Sequence, residues 1–357
     1  MPHLFVDISA HGLGHLAQVG PVLNALAQRL PQLELSVRSA LPASRLSARI
    51  APAFRHIPAA SDFGFHMLDA LRLDHPANVR AYRDFHADWP QRVERDAALL
   101  AGLRADFVFT DVAYLPLAAA ASLGLPAAAM SSLNWADLFA HFYGDADWAA
   151  KVLAEMRAAY ASASFLAPEP ALPMDWIPGL IRCRPIAAYG ARRPVELRER
   201  LGIPPAAKVV VVALGGFPGR LPVESWLGRD DIVWLLPADW RLEHRQCRSF
   251  EALGWLFTDL LASVDAVVSK PGYGSFVEAA CNGTPTAYVR REDWPEQEPL
   301  IDWLQRVSRA AELTPAILAT ERVADVLDRL WSQPAPPPPE PAGAAEVADW
   351  LAARLTA

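Results

Sequence analysis

The sequence predicts two α/β halves, each built on a parallel β-sheet. Strand and helix signals alternate over residues 4–160, stop in a segment rich in proline and arginine, and start again at Lys208. Repeated strand–helix units favour a parallel sheet with helices on both faces. Because ligands of such proteins bind beyond the carboxyl ends of the strands, a cleft between the two halves is the predicted binding site.

The first half opens with a short apolar strand at residues 4–8. Apolar side chains from Leu16 to Leu30 then recur at helical spacing. Pro21 fits this helix only in its first turn or at a kink. The other elements predicted in this half are strands at 33–39, 107–111 and 127–130 and helices at 81–103, 116–123 and 148–160.

The second half repeats this pattern. The run KVVVVALGG is a β-branched strand that ends in Gly215 and Gly216, and residues 230–236 form another strand. Residues 264–289 suggest a strand, a glycine-rich turn, a helix and a further strand. The predicted division is a first domain at 1–168, a connection at 169–205, a second domain at 206–333, and a proline-rich tether with a final helix at 334–357 that packs back on the first domain.

Composition narrows the class of protein. The 357 residues suit about two domains, and 52% hydrophobic with 20% charged residues is typical of a soluble globular protein. A net charge of −7 argues against nucleic-acid binding, because no basic field attracts phosphate.

The amino terminus and the cysteines indicate where the protein is expected to reside. The amino-terminal residues lack a basic region, and their apolar run is too short for a signal peptide or a membrane-spanning helix. Cys183, Cys247 and Cys281 lie far apart without metal or redox spacing. We therefore expect reduced thiols in a cytoplasmic protein.

The stretch SAHGLGHLA at residues 9–17 matches the dinucleotide fingerprint G-x-G-x-x-A between a strand and a helix. A dehydrogenase would need an acidic residue at the end of the second strand, but Arg38 and Ser39 stand there, which leaves only an NADP variant. A tight turn with two solvated histidines is another interpretation. The third is that His11 and His15, at the end of the first strand, transfer protons near neutral pH.

A second glycine-rich motif, SKPGYGSFVE, covers residues 269–278. Its glycines let the backbone approach a ligand, and Ser275 is predicted to begin a helix whose amino end attracts phosphate. Glu278 has two interpretations: it accepts hydrogen bonds from a ribose diol, or it closes a capping box with Ser275. A Walker loop is excluded, because no G-x-x-x-x-G-K-[ST] is present.

The third motif is the loop RREDWPEQE at residues 290–298. Carboxylates, an amide and an indole together suit sugar hydroxyls and the apolar faces of a sugar ring. Alone, such a loop is more often a solvated charged surface. Its position just beyond the next strand favours a binding role.

Together these motifs resemble the GT-B glycosyltransferases, in the broad group of UDP-glycosyltransferases and the lipid-linked N-acetylglucosaminyltransferase of peptidoglycan synthesis. They are most similar to the glycosyltransferase-like N-terminal region of plant L-arabinokinases and related bacterial proteins. The resemblance covers nearly the whole chain. It rests on the segments HGLGH (11–15), DALRLD (69–74), TDV (110–112), NWAD (134–137), KPGYGSFVEA (270–279) and VRRED (289–293).

Two positions depart from those relatives. Gln18 stands where they usually have arginine, and Gly215-Gly216-Phe217 lacks their polar third residue. No kinase domain follows Leu330, so sugar kinase activity is not expected.

The resemblance implies two Rossmann-like domains facing each other across a cleft. It further implies an inverting, metal-independent transfer from a UDP- or TDP-linked sugar, with no cofactor besides this co-substrate. The acceptor would bind over the first domain and the nucleotide sugar over the second. His15 would be the general base, His11 its neighbour or an alternative base, and Asp111 the group that orients the histidine.

The resemblance also assigns the donor site. Backbone amides would stabilise the diphosphate, Lys270 would add a cation and Glu278 would hold the ribose. The predicted donor-site residues are Gly14, Gly215, Gly216, Leu256, Phe257, Lys270, Gly272, Tyr273, Gly274, Ser275, Glu278, Glu296, Gln297 and Glu298, in which Leu256 and Phe257 meet the base and the last three hold sugar hydroxyls.

Several points stay open at this stage. Asn134, Trp135 and Asp137 would face acceptor or sugar, although a packed core indole is the more common role for a residue such as Trp135. The acceptor is not identified, and residues 62–89 are either an acceptor-side lid or packing. A hydrolase on the same fold and a sugar-nucleotide sensor without turnover remain alternatives.

Overall fold

A computed structural model of the chain describes residues 1–216 and 219–356. It contains two entirely parallel sheets, as predicted. The first has the strand order β3-β2-β1-β4-β5-β6-β7, with β1 His3–Asp7, β2 Glu34–Arg38, β3 Arg55–Ile57, β4 Phe107–Thr110, β5 Ala127–Met130, β6 Ser164–Pro168 and β7 Ile181–Cys183. The second has the order β10-β9-β8-β11-β12-β13, with β8 Lys208–Val212, β9 Ile232–Leu236, β10 Cys247–Ser249, β11 Ala266–Ser269, β12 Thr286–Tyr288 and β13 Ala310–Glu312.

Helices connect these strands. Around the first sheet lie α1 Gly14–Arg29, α2 Ala43–Ser47, α3 His75–Ala87, α4 Trp89–Leu103, α5 Leu115–Leu123, α6 Trp135–Tyr143 and α7 Ala149–Ala161. α8 Pro194–Leu201 packs on the second sheet, where Leu197 is buried. The remaining helices are α9 Phe257–Ser263, α10 Tyr273–Cys281, α11 Gln297–Val307, α12 Pro315–Leu318, α13 Val323–Ser332 and α14 Gly343–Leu355.

The central strands are buried on both faces, which explains their unbroken apolar sequences. All five residues of β1 are buried, and so are all of β8 except Lys208. Strands β1 and β4 are neighbours in the first sheet, as β8 and β11 are in the second. At these pairs the order of strands reverses, and the loops that follow them form a crevice suited to a ligand.

The helix predicted at residues 81–103 is wrong in one respect: it is two helices. α3 ends at Ala87 and α4 starts at Trp89, with Asp88 between them. Pro90 is the cause, because it has no amide hydrogen to donate and its ring clashes with the carbonyl of residue 86. Pro21 does lie inside α1, in its interior rather than its first turn.

Residues 169–205 contact both halves, and the C-terminal helix α14 packs on the first half. Residues 169–205 contain β7, which extends the first sheet, and α8. The hydroxyl of Tyr273 donates to the carbonyl of Glu169 (3.1 Å) and accepts from the amide of Ile186 (2.9 Å), so α10 is tied to this segment. α14 packs against α1 and buries Val347 and Leu351 in the shared apolar core.

Candidate active site

The two glycine loops meet where the sheets face each other. An added methyl group on Gly216 would lie 3.4 Å from the Cα of Gly12, and one on Gly274 would lie 3.4 Å from the Cα of Gly14. The approach at Gly274 is the tighter one, because an added methyl group would also lie 3.0 Å from the Cβ of Ala17. Gly12 has a φ of 82°, which turns the chain from β1 into α1 and brings the histidines to this junction.

His15 lies in the first turn of α1 beside Asp111, which follows β4. The Nδ1 atom of His15 is 2.8 Å from Oδ2 of Asp111, but their alignment is not that of a hydrogen bond. The other carboxylate oxygen accepts from the backbone amides of Ser9 (3.2 Å) and Val112 (2.5 Å). Burial alone would lower the pKa of His15, but the negative charge of Asp111 raises it above its usual 6.5.

His11 behaves in the opposite way. Its Nε2 lies 3.0 Å from the carbonyl oxygen of Phe65, and since a carbonyl only accepts, Nε2 carries the ring proton. Burial, followed by the positive charges of His15, Arg291 and Lys270, lowers the pKa of His11 well below 6.5. His11 is therefore neutral at physiological pH, with Nδ1 as its basic atom.

Trp135 packs against both histidines. Its ring centre lies 5.1 Å from that of His11 and 5.6 Å from that of His15, and its side chain is buried. The indole nitrogen donates to Asp62 (2.7 Å), whose other oxygen accepts from the hydroxyl of Ser9 (2.9 Å). Asp62 is a carboxylate of this site that sequence reasoning missed, because no motif surrounds it.

Asn134 and Asp137 are engaged with each other. The side chain of Asn134 accepts from the amide of Asp137 (2.8 Å), which caps α6, and donates to its carboxylate (2.7 Å). The second carboxylate oxygen of Asp137 accepts from the indole of Trp176 (2.6 Å). These contacts hold the start of α6 and thereby Trp135.

Lys270 is a buried cation between the glycine loops of the second half. A methyl group on Gly215 would lie 4.0 Å from its Nζ, and one on Gly272 would lie 3.8 Å away. Burial, together with the nearby charge of Arg291, lowers the pKa of Lys270 to about 7, although Glu296 opposes the shift. A negatively charged ligand at this position would restore the charge of the ammonium group.

Arg291 is the second buried cation, and sequence reasoning did not single it out. Its guanidinium lies 3.6 Å from the centre of the Trp294 ring, and its Nε has no hydrogen-bond partner among the described residues. Burial lowers its pKa to about 10, with Glu296 opposing. Arg291 does lie in the loop at residues 290–298, but the interpretation of that loop rested on its carboxylates, its amide and its indole.

The acidic loop divides into three environments. Glu296 is buried and accepts from the hydroxyl of Ser132 (2.7 Å) and the indole of Trp294 (3.2 Å), so it belongs to the site. The side chain of Gln297 accepts from the backbone amide of Arg291 (3.0 Å) and donates to its backbone carbonyl (3.2 Å), which fixes that loop. Glu298 is exposed and pairs with Arg290 (2.6 Å).

The predicted role of Ser275 as the start of a helix is wrong. α10 begins at Tyr273 with Gly272 before it, so Ser275 is the third helical residue and forms no capping box with Glu278. Glu278 is buried and forms an ion pair with Arg49, a residue of the first half that we had not considered. Gly274 lies in the first turn of α10, against α1.

Other predicted residues lie elsewhere. Leu256 precedes α9 and is exposed, while Phe257 is its first residue and packs near Phe250. Phe217, the departure from the relatives, lies outside the described residues. Gln18 is buried, and its side-chain oxygen accepts from the amide of Ser132 (3.3 Å).

The dehydrogenase alternative loses its remaining support. Arg38, which had left an NADP site open, is buried and pairs with the carboxylates of Asp7 and Asp96. A guanidinium held by two buried carboxylates is not available to a 2′-phosphate.

Two cavities, of about 550 and 490 Å³, lie away from these residues, one beside Glu169 and Trp303 and the other beside Arg198 and Asp265. Of the residues that the structure describes, none forms a helix long and apolar enough to cross a membrane.

Comparison with known proteins places the chain by its fold. No family model matches the sequence. L-arabinokinase from Arabidopsis thaliana is 25% identical over 310 residues, which are 82% of this chain. The chain spans only 28% of the length of that relative. This likeness agrees with the resemblance stated from the motifs.

Solved structures match over nearly the full length. The calicheamicin glycosyltransferase CalG4 has a TM-score of 0.68 at 16% identity, with 99% of this chain and 98% of that one covered. LpCGTa in complex with UDP has 0.65 at 18%, with both chains fully covered. A putative UDP-N-acetylglucosamine 2-epimerase from Listeria monocytogenes has 0.61 at 12%, covering 99% and 96%. The chain therefore has the predicted GT-B fold, which the resemblance to GT-B glycosyltransferases had implied.

Proposed function

We propose that this protein transfers a sugar from a UDP- or TDP-linked donor to an acceptor nucleophile, with inversion and without a metal. One observation carries the proposal. Lys270 is buried beside the glycine loops of the second half, and its charge and that of the buried Arg291 act on His11. The ring of His11 lies 6.3 Å from that of His15, which pairs with the buried carboxylate of Asp111.

The donor side of this arrangement suits a diphosphate. Two cations in a desolvated site share Glu296 as a carboxylate, and both lose proton affinity, so the site favours added negative charge. Gly215, Gly216 and the first turn of α10 add backbone amides. Fixed dipoles and cations of this kind stabilise the charge that develops on a diphosphate leaving group, which is the role that a metal takes elsewhere.

The acceptor side suits proton transfer. With Nδ1 of His15 turned to Asp111, its Nε2 is the atom that takes a proton from an acceptor hydroxyl. The carboxylate stabilises the imidazolium that forms. His11 has a lowered pKa and is the weaker base. We therefore propose that His11 contacts the acceptor and that His15 is the general base.

Glu278 and Glu296 complete the proposed donor site. Glu278 would hold the ribose by exchanging its contact with Arg49 for the diol, and Glu296 would meet sugar hydroxyls. Two structural neighbours, LpCGTa and the glycosyltransferase VinC, were solved in complex with UDP and dTDP, which supports a nucleotide-linked donor. The three buried free cysteines fit a reducing compartment, so the proposal places the activity in the cytoplasm.

Product analysis with a panel of UDP- and TDP-linked sugars tests the proposal. Transfer predicts release of nucleoside diphosphate that depends on an added alcohol acceptor and a product of inverted anomeric configuration. Free sugar without any acceptor would instead identify a hydrolase on the same fold. Tight binding of UDP or dTDP with no turnover on any acceptor would identify a sensor.

A further inference from the structure

A segment of the first half, residues 62–74, crosses to the second half; we call it the crossing segment. Ala70 at its tip is fully buried in the apolar cluster of the second sheet. An added methyl group on Gly219 would lie 3.0 Å from the Cβ of Ala70. The backbone amide of Glu292 donates to the carbonyl of Leu71 (3.1 Å). The tip is therefore docked on the second half by both apolar and polar contacts.

The tip is a closed turn with its own hydrogen bonds. The amide of Leu68 donates to the carbonyl of Arg72 (2.9 Å), and the carboxylate of Asp69 accepts from the amides of Leu71 (2.8 Å) and Arg72 (3.0 Å). At its base, the side chain of Asn78 accepts from the amide of His66 (2.7 Å). Because these contacts fix its shape, we expect the tip and the residues behind it to move as one unit.

The same segment touches a chemical group from each half. The carbonyl of Phe65 accepts the ring proton of His11 at 3.0 Å. Gly64, with a φ of 57°, lets the backbone pass over that ring, since a methyl group there would lie 2.8 Å from it. On the other side, the sulfur of Met67 lies 3.7 Å from a terminal nitrogen of Arg291.

We propose that the crossing segment is a positioning element, which when docked on the second half fixes the ring proton of His11 on Nε2 and holds Arg291 over Trp294. Its catalytic meaning rests on the proposed function. The acid–base state of the histidine pair and the placement of the donor-side cation then depend on one contact between the halves. The motif DALRLD, which contains Ala70 and Leu71, thereby gains a role at the contact itself.

The physical reason is the enclosure of His11. While the segment is docked, a carbonyl fixes the tautomer and water is excluded, so the ring stays neutral beside its cationic neighbours. When the segment leaves, water replaces the carbonyl and solvates the charged ring. We therefore expect release to move the pKa of His11 towards the ordinary value and to mix its tautomers.

Ala70→Glu and Leu68→Glu form a matched pair for the test. Both add a carboxylate to the same turn, but Ala70 is fully buried and Leu68 is 58% exposed. A buried charge in an apolar cluster is costly, so only Ala70→Glu should release the segment. The measurements are hydrogen exchange at the Glu292 amide and ¹⁵N NMR of labelled histidine, with His11 assigned from a His11→Asn spectrum.

We expect faster exchange at Glu292, a raised pKa and mixed tautomers of His11 in Ala70→Glu, and wild-type behaviour in Leu68→Glu. Gly219→Val is the second variant, because it wedges the tip from the second half and buries no charge. Faster exchange at Glu292 with an unchanged pKa and tautomer of His11 would overturn the proposal. Unchanged exchange in both Ala70→Glu and Gly219→Val would also overturn it. These readouts need no substrate, so absence of turnover in the wild type would count against the proposed function alone.

Discussion

The Nδ1 atom of His15 lies 2.8 Å from Oδ2 of Asp111, and the two side chains are 8% and 1% exposed. The residues follow β1 and β4, which are adjacent strands although about a hundred residues separate them in the chain. Because the strands are parallel, both loops lie at the carboxyl end of the sheet, and the proposed chemistry depends on this arrangement.

Replacing His15 by alanine should reduce kcat by about 10²- to 10⁴-fold, the usual contribution of a general base. The affinity for UDP or dTDP should stay close to that of the wild type, because His15 belongs to the acceptor side. Steady-state kinetics and calorimetry measure the two effects. His56→Ala, on the edge strand β3, is the matched control. Unchanged turnover in His15→Ala would exclude it as the base.

Asp111→Asn should shift the pH dependence of kcat/KM to lower pH. In the wild type, the pKa of His15 is raised above 6.5 by Asp111, so activity should rise with pH through a value above 6.5 as the base loses its proton. Without the negative charge, burial lowers that pKa and the rise moves down. The plateau should also fall. A pH profile whose acidic limb stays in place would contradict the pairing.

Nucleotide binding above pH 7 should be accompanied by proton uptake at Lys270. Its pKa of about 7 leaves the ammonium group largely neutral at pH 8, and a bound diphosphate restores the charged form. Calorimetry in buffers of different ionisation enthalpy measures this uptake, which should approach about one proton per nucleotide. Lys270→Met should abolish it and weaken binding.

The same lysine gives a prediction for stability without ligand. Between pH 7 and 10.5 the unfolded chain binds a proton at Lys270 that the folded chain does not, so this group makes stability rise with pH over that interval. Thermal unfolding of the wild type and Lys270→Met should show the difference. An identical pH dependence would mean that the lysine is solvated.

Arg291→Met should weaken binding of UDP or dTDP by about 1.5–3 kcal/mol, the loss expected for a hydrogen bond to a charged group. Arg290→Met is a matched control, because its neighbouring guanidinium is half-exposed and pairs with Glu298 and Glu312. Affinity that falls equally in both variants would point to general electrostatics rather than to a contact.

Variants of Glu278 and Arg49 distinguish a ribose contact of Glu278 from a purely structural ion pair. Glu278→Gln should lower nucleotide affinity by about 1–3 kcal/mol through lost hydrogen bonds. Arg49→Met should lower thermal stability, since it leaves a buried carboxylate unpaired, but should leave affinity intact. If Glu278→Gln binds nucleotide as the wild type does, the ribose role is wrong.

Much of the fold could be predicted because the buried strands have a distinctive apolar sequence pattern. Buried parallel strands such as KVVVV have no polar face, and the glycines that follow them mark the turns. The break at Pro90 was also readable, since the ring of proline cannot continue a helix there. The start of α10 at Tyr273 was not, because a glycine at the preceding position gives no side-chain signal.

The sequence by itself determined that two parallel sheets would form and that His11, His15, Asp111 and Lys270 would lie at their carboxyl ends. Only the tertiary structure decided which charges are buried together. Arg49 and Glu278 stand 229 positions apart, and Ala70 is enclosed by a cluster formed after residue 209. Local periodicity reports the face that an element buries, but not the partner that meets it. The electrostatics of this site, and the docking of the crossing segment on the second half, follow from those distant contacts.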